Sequence, residues 1–289
     1  MFINKLKKRD KVFIVSRNPG SGNIIASFVK KEKIKANYYL LEPSLKIFKD
    51  KKIKINNRKN RFSKKYKLLI TGTSHENKFE LKYISKAKKF NVYSVSFLDH
   101  WEKYKKRFRF NGKYFFPDEL IAGDKKSFKL AKKEFKNYKL KISYIQNPYL
   151  EEIVKLKRKK NRKKELVILS SNIDSLKIKL KDTKVFEMII KKLTNFLKKN
   201  SVNKIYIKNH PSERKKKFEK FCINSKSKLS IKIKIIDKSL DYVLNNYQYI
   251  AGYNTMALVI AKQFGCNTFN LKLKGRKSTI PKKYIDKLI

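Results

Sequence analysis

The sequence predicts an α/β fold with two Rossmann-like domains whose parallel sheets face each other across a cleft. Short apolar runs alternate with longer amphipathic segments along the chain, which is typical of βαβ units. The alternation occurs in two series, and a basic run without apolar periodicity, KLKRKKNRKK, separates them. The chain is 41% hydrophobic and 13% aromatic, so it has enough apolar side chains to form real cores. We therefore expect domains at residues 1–154 and 165–289, joined by a basic linker at 155–164.

The first half contains six predicted strands. They are Lys11–Ser16, Ala36–Leu41, Lys67–Thr71, Asn91–Leu98, Glu119–Ala122 and Lys141–Ile145. Helices are predicted after Asn23, at Glu76–Phe90 and at Lys125–Phe135. Residues 46–66 form a basic and irregular stretch, which we expect to be exposed.

The second half repeats the strand and helix alternation. Its predicted strands are Glu165–Ser170, Lys204–Lys208, Ile231–Ile236, Tyr249–Ala251 and Thr268–Leu273. Its predicted helices are Val185–Phe196, Leu240–Asn246 and Met256–Phe264. Ser239 can cap the second of these helices, and Gly265 is a natural C-cap for the third.

The net charge of +53 comes from 76 Lys and Arg residues against 23 Asp and Glu residues. Clustered cations bind nucleic acids by releasing counterions from phosphates, so a basic nucleic-acid-binding protein is one interpretation. We favour compositional drift, because the lysines are spread over the chain and do not form one stripe, and we expect no specific nucleic-acid partner. In either case the charge attracts anionic nucleotides, anionic glycans and the anionic inner surface of a membrane.

Cysteine content and hydropathy limit the cellular environment. Cys222 and Cys266 lie far apart and form no CxxC motif, which argues against a disulfide framework or a zinc site and suits a reducing compartment. No apolar run is long enough for a signal peptide or a spanning helix. We expect a cytoplasmic protein whose contact with the inner membrane is peripheral.

All three histidines of the chain follow predicted strands. His75, His100 and His210 each come just after the end of one. Ligands of open parallel sheets bind beyond the carboxyl ends of the strands, so this placement predicts a functional edge.

His210 is the sharpest candidate. In IYIKNHPSE it emerges at a strand end, and Pro211 suits the first position of a turn or helix. An imidazole at this point can donate a hydrogen bond to a phosphate oxygen beside exposed backbone N–H groups. A histidine that only caps the strand is an equally good explanation.

A second candidate for phosphate binding follows another strand of the same half. Gly252, Asn254 and Thr255 form a tight turn before an apolar helix, and they offer backbone donors, a hydroxyl group and a helix dipole. Thr255 could also be only the N-cap of that helix. Because both segments leave one half-sheet at the same edge, we expect them to converge on one anion.

The first half has weaker candidates in three turns, which follow the first, third and fourth predicted strands. Gly20 and Gly22 lie between the first strand and the first helix, where glycine allows a ligand to approach the backbone, although an ordinary βα turn explains them too. Thr73, Ser74 and His75 follow the third strand.

Asp99 and His100 follow the fourth strand, and either could act as a general base toward an acceptor hydroxyl. Glu80 is a runner-up that we expect to be solvent-exposed or structural.

Trp101, Tyr104, Arg107 and Phe108 follow at helix-like spacing. They could form a platform for an acceptor, but packing against the sheet explains the aromatic residues equally well. Arg107 stands out in a lysine-dominated chain, because its guanidinium can bind a carboxylate or phosphate with two parallel hydrogen bonds.

Two segments of the second half resemble GT-B-type glycosyltransferases. They are KNHP around His210 and SLDYVLNNYQYIAGYNTMALVIAKQFGCNTFNL at residues 239–271. The resemblance is nearest to bacterial sialyltransferases, polysialyltransferases and capsule or lipopolysaccharide transferases. In the first half, ITGTS and LDHWEKYKKRF resemble stretches of uncharacterised relatives of these enzymes.

The resemblance implies a metal-independent enzyme without a cofactor, which moves a sugar from a CMP- or UDP-sugar to a cell-surface or lipid-linked glycan. The His of the family's His-Pro motif contacts the donor phosphate with help from a Ser or Thr, and these roles carry over to His210 and Thr255. The usual Ser-Ser/Thr pair is replaced by Asn254-Thr255. The acidic-acidic-Gly motif is absent, so Asp99 matches the family's general base by position only.

Three other interpretations stay open at this point. A UDP-sugar epimerase or a polyol-phosphate transferase could use the same fold and the same phosphate site. A nucleic-acid-binding protein would explain the charge but not the histidines at strand ends. A non-catalytic partner within a polysaccharide assembly is a further alternative.

Overall fold

The computed structural model describes residues 11–55, 61–74, 78–156, 159–171, 173, 180–211, 213–214, 216–225 and 231–289. The chain divides into two compact units, Met1–Glu152 and Ile153–Ile289. Each unit contains one six-stranded sheet in which all neighbouring strands are parallel. The predicted α/β class with two parallel sheets is therefore confirmed.

The sheet of the first unit has the strand order β2-β1-β3-β4-β7-β8. Its strands are β1 (Val12–Ser16), β2 (Ala36–Leu40), β3 (Leu68–Thr71), β4 (Tyr93–Phe97), β7 (Glu119–Ala122) and β8 (Lys141–Tyr144). A separate antiparallel hairpin is formed by β5 (Arg109–Phe110) and β6 (Lys113–Tyr114). The helices are α1 (Pro19–Lys31), α2 (Ser44–Asp50), α3 (Phe79–Lys89), α4 (Tyr104–Arg107), α5 (Lys125–Glu134) and α6 (Pro148–Lys155).

Every residue of the strands β1, β3 and β7 is buried, as expected for a parallel sheet that is covered on both faces. Aromatic side chains fill much of the space beside β1, where the ring of Phe13 lies 4.8 Å from Tyr66 and 5.3 Å from Phe62. The prediction that residues 46–66 are exposed is wrong for Phe48, Phe62 and Tyr66, which are buried, and its part at 56–60 lies outside the described residues. Their apolar rings contribute to the core although lysines surround them in the sequence.

The sheet of the second unit has the strand order β11-β10-β9-β12-β13-β14. Its strands are β9 (Lys163–Leu169), β10 (Lys204–Lys208), β11 (Lys232–Ile235), β12 (Tyr247–Gly252), β13 (Asn267–Asn270) and β14 (Lys287–Leu288). Its helices are α7 (Asp182–Lys199), α8 (Glu219–Ser225), α9 (Leu240–Asn246) and α10 (Met256–Gln263), and a short 3-10 helix covers Lys282–Tyr284. The apolar face of α7 packs on the sheet through residues such as Phe186 and Ile189.

Part of the basic run at 155–164 belongs to a helix and a strand. Helix α6 extends to Lys155, and strand β9 begins at Lys163. Between them, Arg162 donates hydrogen bonds to the carbonyl oxygens of Phe264 and Gly265, at 3.1 and 2.9 Å. The end of the predicted linker is thus attached to the second unit, just beyond helix α10.

Across the residues that the structure describes, no helix is both long and apolar enough to cross a membrane.

Candidate functional site

Three adjacent strands of the second unit end at the same level. Strand β9 lies between β10 and β12, and Leu169 is in register with Lys208 on one side and with Gly252 on the other. Because all three strands are parallel, the loops that follow them leave one edge of the sheet. The loop of His210 and the loop of Thr255 therefore flank the end of β9, which is the relative placement that the sequence predicts.

The loop after β10 is a tight turn built around His210. Glu213 Oε2 accepts a hydrogen bond from the backbone N–H of His210 at 2.8 Å, and the backbone N–H of Glu213 donates to the His210 carbonyl at 2.9 Å. Asn209 closes the turn by donating from Nδ2 to the Arg214 carbonyl at 2.7 Å. Pro211 is exposed and lies in this turn; the next helix, α8, begins only at Glu219. His210 is half-buried at the strand end.

A buried group of charged side chains supports the turn. The carboxylates of Asp182 and Glu213 both contact Lys217 Nζ, at 2.9 and 2.7 Å, and their side chains are only 1% and 2% exposed. Ser170, which directly follows β9, places its hydroxyl 2.9 Å from Glu213 Oε1 and 3.3 Å from Asp182 Oδ1. These contacts connect the end of β9, the turn of His210 and the start of α7.

The loop after β12 begins α10 and is attached to the end of β9. Ser171 donates its hydroxyl to the Tyr253 carbonyl at 2.5 Å. The hydroxyl of Thr255 accepts a hydrogen bond from the backbone N–H of Ala257, so Thr255 is the N-cap of α10. Gly252 leaves little room for a side chain, because a Cβ there would lie 3.1 Å from Thr255 Cγ2 and 3.3 Å from the Leu169 carbonyl oxygen.

Asn254 has an internal structural function in addition to its predicted place in the donor site. Its φ of 45° is in the left-handed region, which Asn tolerates better than most residues. Its Oδ1 lies within hydrogen-bonding distance of Asn270 Nδ2, the Ser278 hydroxyl and the Thr279 N–H, at 3.3, 3.2 and 3.3 Å. Asn270 Oδ1 in turn accepts from the Asn254 N–H at 2.8 Å. The side chain of Asn254 therefore fixes the turn against the segment that follows β13.

Sequence reasoning missed Ser170, Ser171 and Glu213 at this edge. The signal was present in ILSSN, where two hydroxyl side chains follow a buried strand, and in HPSE, where an acid lies three residues after the histidine. Neither pattern identifies the partners from other elements, such as Tyr253 for Ser171 and Asp182 for Ser170.

The corresponding edge of the first unit is dominated by Asp99 and Arg107. Arg107 Nη1 lies 2.6 Å from Asp99 Oδ1 and 3.0 Å from the Thr73 hydroxyl, and the Arg107 side chain is only 8% exposed. Thr73 also contacts the Phe97 carbonyl at the end of β4. The predicted Thr73, Asp99 and Arg107 are thus brought together, but the guanidinium binds a carboxylate of the chain itself.

Helix α1 begins at Pro19, so Gly20 and Gly22 lie in its first turns and not in a loop, which corrects the predicted helix start. A Cβ on Gly20 would lie 2.7 Å from Asp99 Oδ2, so this glycine makes room for the carboxylate. A Cβ on Gly22 would collide with the Ser44 hydroxyl. Gly22 therefore serves the packing of α1, and only Gly20 contacts a candidate catalytic group.

Glu80 is buried, so of the two expectations for it, solvent exposure and a structural role, the structure excludes the first. It lies in the first turn of α3, is 2% exposed, and its Oε1 accepts a hydrogen bond from the Arg17 N–H at 3.0 Å. Its Oε2 has no hydrogen-bond partner among the described residues. A cavity of about 10 Å³, lined in part by Thr73, Glu80 and Arg107, lies beside it and is roughly large enough for one water molecule. Burial raises the pKa of the Glu80 carboxyl, and the charge of Asp99 raises it further.

The aromatic residues after Asp99 pack inside the unit, and the platform interpretation is not supported. Trp101 donates its indole N–H to Asp124 Oδ2 at 2.7 Å, and Tyr104 and Phe108 are about 1% exposed members of the core. His100 is half-buried, with its ring 5.8 Å from that of Trp101.

Ser74 is buried after β3, and His75 lies outside the described residues. Within the described part of the chain, no group of three or more His, Cys, Asp and Glu side chains is arranged to hold a metal ion.

Comparison with known proteins decides the family. A family model described as Alpha-2,8-polysialyltransferase (POLYST) matches residues 1–261, which include both candidate edges. The chain belongs to the alpha-2,8-polysialyltransferase family. The predicted resemblance to GT-B-type sialyltransferases and polysialyltransferases is confirmed, and this member of the polysialyltransferase family is a glycosyltransferase. No curated protein matches the chain.

Solved structures share the fold of this polysialyltransferase-family protein. The Staphylococcus aureus MnaA–UDP structure is 12% identical with a TM-score of 0.64, and the match covers 91% of this chain and 80% of that one. The Methanocaldococcus jannaschii UDP-GlcNAc 2-epimerase, solved with UDP-GlcNAc and UDP, is 13% identical with a TM-score of 0.62, covering 90% and 83%. These likenesses confirm the GT-B-like fold.

Proposed function

We propose that the protein transfers a sialic acid from a CMP-sugar to a cell-surface or lipid-linked glycan. The family supports sugar transfer, and its description names sialic acid as the sugar. A UDP-sugar is the second candidate donor, because two proteins of the same fold were solved with UDP. The observation that carries the proposal is the common edge of β10, β9 and β12, where His210 and the start of α10 flank Ser171.

The second unit is proposed to bind the donor phosphate. When the glycosidic bond breaks, negative charge develops on the departing phosphate. His210 donates a hydrogen bond to it, and the hydroxyl and N–H groups at the start of α10 add further donors and a favourable dipole. The proposal assigns this neutralisation to groups of the chain and not to a metal ion or a cofactor.

The first unit is proposed to supply the general base. The guanidinium of Arg107 pairs with Asp99 Oδ1, and Asp99 Oδ2 lies against Gly20. Oδ2 is then the oxygen that accepts the proton of the acceptor hydroxyl, whose oxygen attacks the anomeric carbon. His100, at the end of the same strand, is the alternative base. A matched pair of variants, Asp99→Asn and His100→Gln, decides between them, because only loss of the true base removes the proton acceptor.

Replacement of His210 by alanine tests the donor site. We expect His210→Ala to lower the turnover of a CMP-sugar at least about a hundredfold, because a preorganised donor to the leaving phosphate is lost. The measurement is the rate of glycan product formation with saturating acceptor. The control is Glu187→Ala, which removes an exposed side chain on α7 that has no place in the proposed site.

Retention of normal turnover by a folded His210→Ala protein would contradict the proposed function. The nucleotide is assigned by thermal shift with CMP, UDP, GDP and CDP, since a ligand that binds only the folded state raises the melting temperature. An epimerase would convert a UDP-sugar without any acceptor, whereas the proposed transferase forms its glycan product only when the acceptor is present.

A further inference from the structure

Glu213 binds both backbone groups of His210. Its Oε2 accepts from the His210 N–H at 2.8 Å, and its own N–H donates to the His210 carbonyl at 2.9 Å. We propose that Glu213 is the positioning residue that aims the His210 imidazole at the donor phosphate. This inference rests on the proposed function of the site.

The Glu213 carboxylate is itself held in place from several directions. Lys217 Nζ lies 2.7 Å from Oε1, and the Ser170 hydroxyl lies 2.9 Å from the same oxygen. Lys217 also neutralises Asp182, whose Oδ1 accepts from the Ile173 N–H at 3.2 Å. With 2% of its side chain exposed, Glu213 has little freedom to move. The orientation of His210 is therefore coupled to the end of β9 and to the start of α7.

Accurate placement of His210 matters at the step in which charge develops on the leaving phosphate. A misplacement of about 1 Å can cost a catalytic group on the order of a hundredfold in rate. In the proposed site the groups at the start of α10 also bind the ground-state donor, so its binding depends less on this one hydrogen bond. Loss of Glu213 should therefore lower kcat strongly and change the KM for the donor little.

Three substitutions of Glu213 test whether kcat depends on the position of its oxygen atoms or on its negative charge. Glu213→Gln keeps the length of the side chain and an oxygen for the His210 N–H. Its amide N–H then faces the Ser170 hydroxyl, which can turn to accept, while Lys217 keeps its ion pair with Asp182. We expect its kcat to stay within about threefold of the wild type. Glu213→Asp keeps the charge but is one methylene shorter, so it cannot reach the His210 N–H and the Ser170 hydroxyl together. We expect Glu213→Asp and Glu213→Ala to lower kcat about tenfold or more.

Glu187→Ala is the matched control. Glu187 lies on α7 and forms an exposed ion pair with Lys184, so the same change is made away from the turn. Thermal unfolding of every variant identifies loss of folded protein. If Glu213→Ala does not fold, the comparison of the Gln and Asp variants still decides the question. A kcat that Glu213→Asp retains and Glu213→Gln loses would overturn the proposal, because charge and not position would then be the requirement.

A double-mutant cycle shows whether Glu213 acts through His210. If it does, adding Glu213→Ala to His210→Ala lowers kcat by no more than about twofold, because the group that Glu213 positions is already absent. An equal loss of kcat in both backgrounds would mean that Glu213 acts independently, and the positioning function would be rejected. Normal turnover by His210→Ala alone would instead reject the proposed function itself, so the two failures are distinguishable.

Discussion

Two carboxylates of the first unit differ in what surrounds them. Asp99 is paired with Arg107 through a contact of 2.6 Å, and it is partly open to solvent. Glu80 is almost fully buried and receives its hydrogen bond from a neutral backbone N–H group. A buried carboxyl without a charged partner favours its neutral form. Of these two carboxylates, Asp99 is the one with a charged partner and contact with solvent, which suits the proposed base.

Replacement of Glu80 by glutamine tests this difference through pH. The pKa of Glu80 is raised in the folded protein, so the folded state binds the proton more readily than the unfolded state does. Its contribution to stability is then greatest at low pH and is lost as the pH rises through the folded-state pKa. We expect Glu80→Gln to be more stable than the wild type near about pH 7.5, with the difference shrinking toward about pH 4.

Denaturant unfolding of both proteins at several pH values measures this effect. Glu187→Gln is the control, because that exposed carboxylate has no comparable burial. A wild type that is more stable than Glu80→Gln at neutral pH would show that the ionised Glu80 carboxylate supports the fold.

At the scale of elements, the beginning of α1 is fitted to the end of β4. The absence of a side chain on Gly20 allows Asp99 Oδ2 to lie over the first turn of the helix. We expect Gly20→Ala to displace the Asp99 carboxylate and lower turnover about tenfold, because a new Cβ would lie 2.7 Å from that oxygen. Initial rates with saturating donor and acceptor measure the loss.

Gly22→Ala is the matched control in the same helix. It creates a collision with Ser44 and leaves the contact between Gly20 and Asp99 unchanged. Its melting temperature should fall while the turnover of its folded fraction stays near the wild-type value. Equal turnover of the two folded variants would argue against Asp99 as the base.

Most strands of both sheets were predictable because buried parallel strands are short apolar runs, as VFIVS in β1 and ELIA in β7 illustrate. The two-residue strand β14 was missed. Helices α2, α6 and α8 were missed. In α2 only a few apolar residues, among them Leu45 and Phe48, face the core, and Lys and Asp residues obscure the pattern.

The strand-end positions of His210, Thr255 and Asp99 were predictable from the order of strands and turns. The engagement of Arg107 with Asp99 was not, because residues eight apart in the chain meet only through the fold of the turn after β4. Asn254 Oδ1 likewise accepts hydrogen bonds from the Ser278 hydroxyl and the Thr279 N–H, which join segments whose proximity no local pattern encodes.

At the scale of the whole molecule, repulsion among the charges that sum to +53 is the dominant long-range interaction. So large a net charge destabilises a compact protein through self-repulsion, and dissolved salt screens that repulsion over about 10 Å at 0.1 M. We expect the melting temperature to rise when NaCl is increased from about 20 to about 300 mM. Acetylation of exposed lysines should reduce this response, since it removes the charge.

Thermal unfolding monitored by circular dichroism across the salt series is the measurement. A melting temperature that falls with salt would indicate that attractive ion pairs, such as those of Lys217, outweigh the repulsion.

The hydrogen bonds between Asn254 and the segment after β13 have a practical consequence for protein engineering. The family likeness ends at residue 261, yet Asn270, Ser278 and Thr279 all lie beyond that point. A protein truncated after residue 261 would contain the loop proposed to bind the nucleotide. It would lack Asn270, Ser278 and Thr279, which hold that loop in its conformation. The smallest portion of the chain worth expressing alone for donor-binding experiments therefore extends through Thr279 and the strand that follows it.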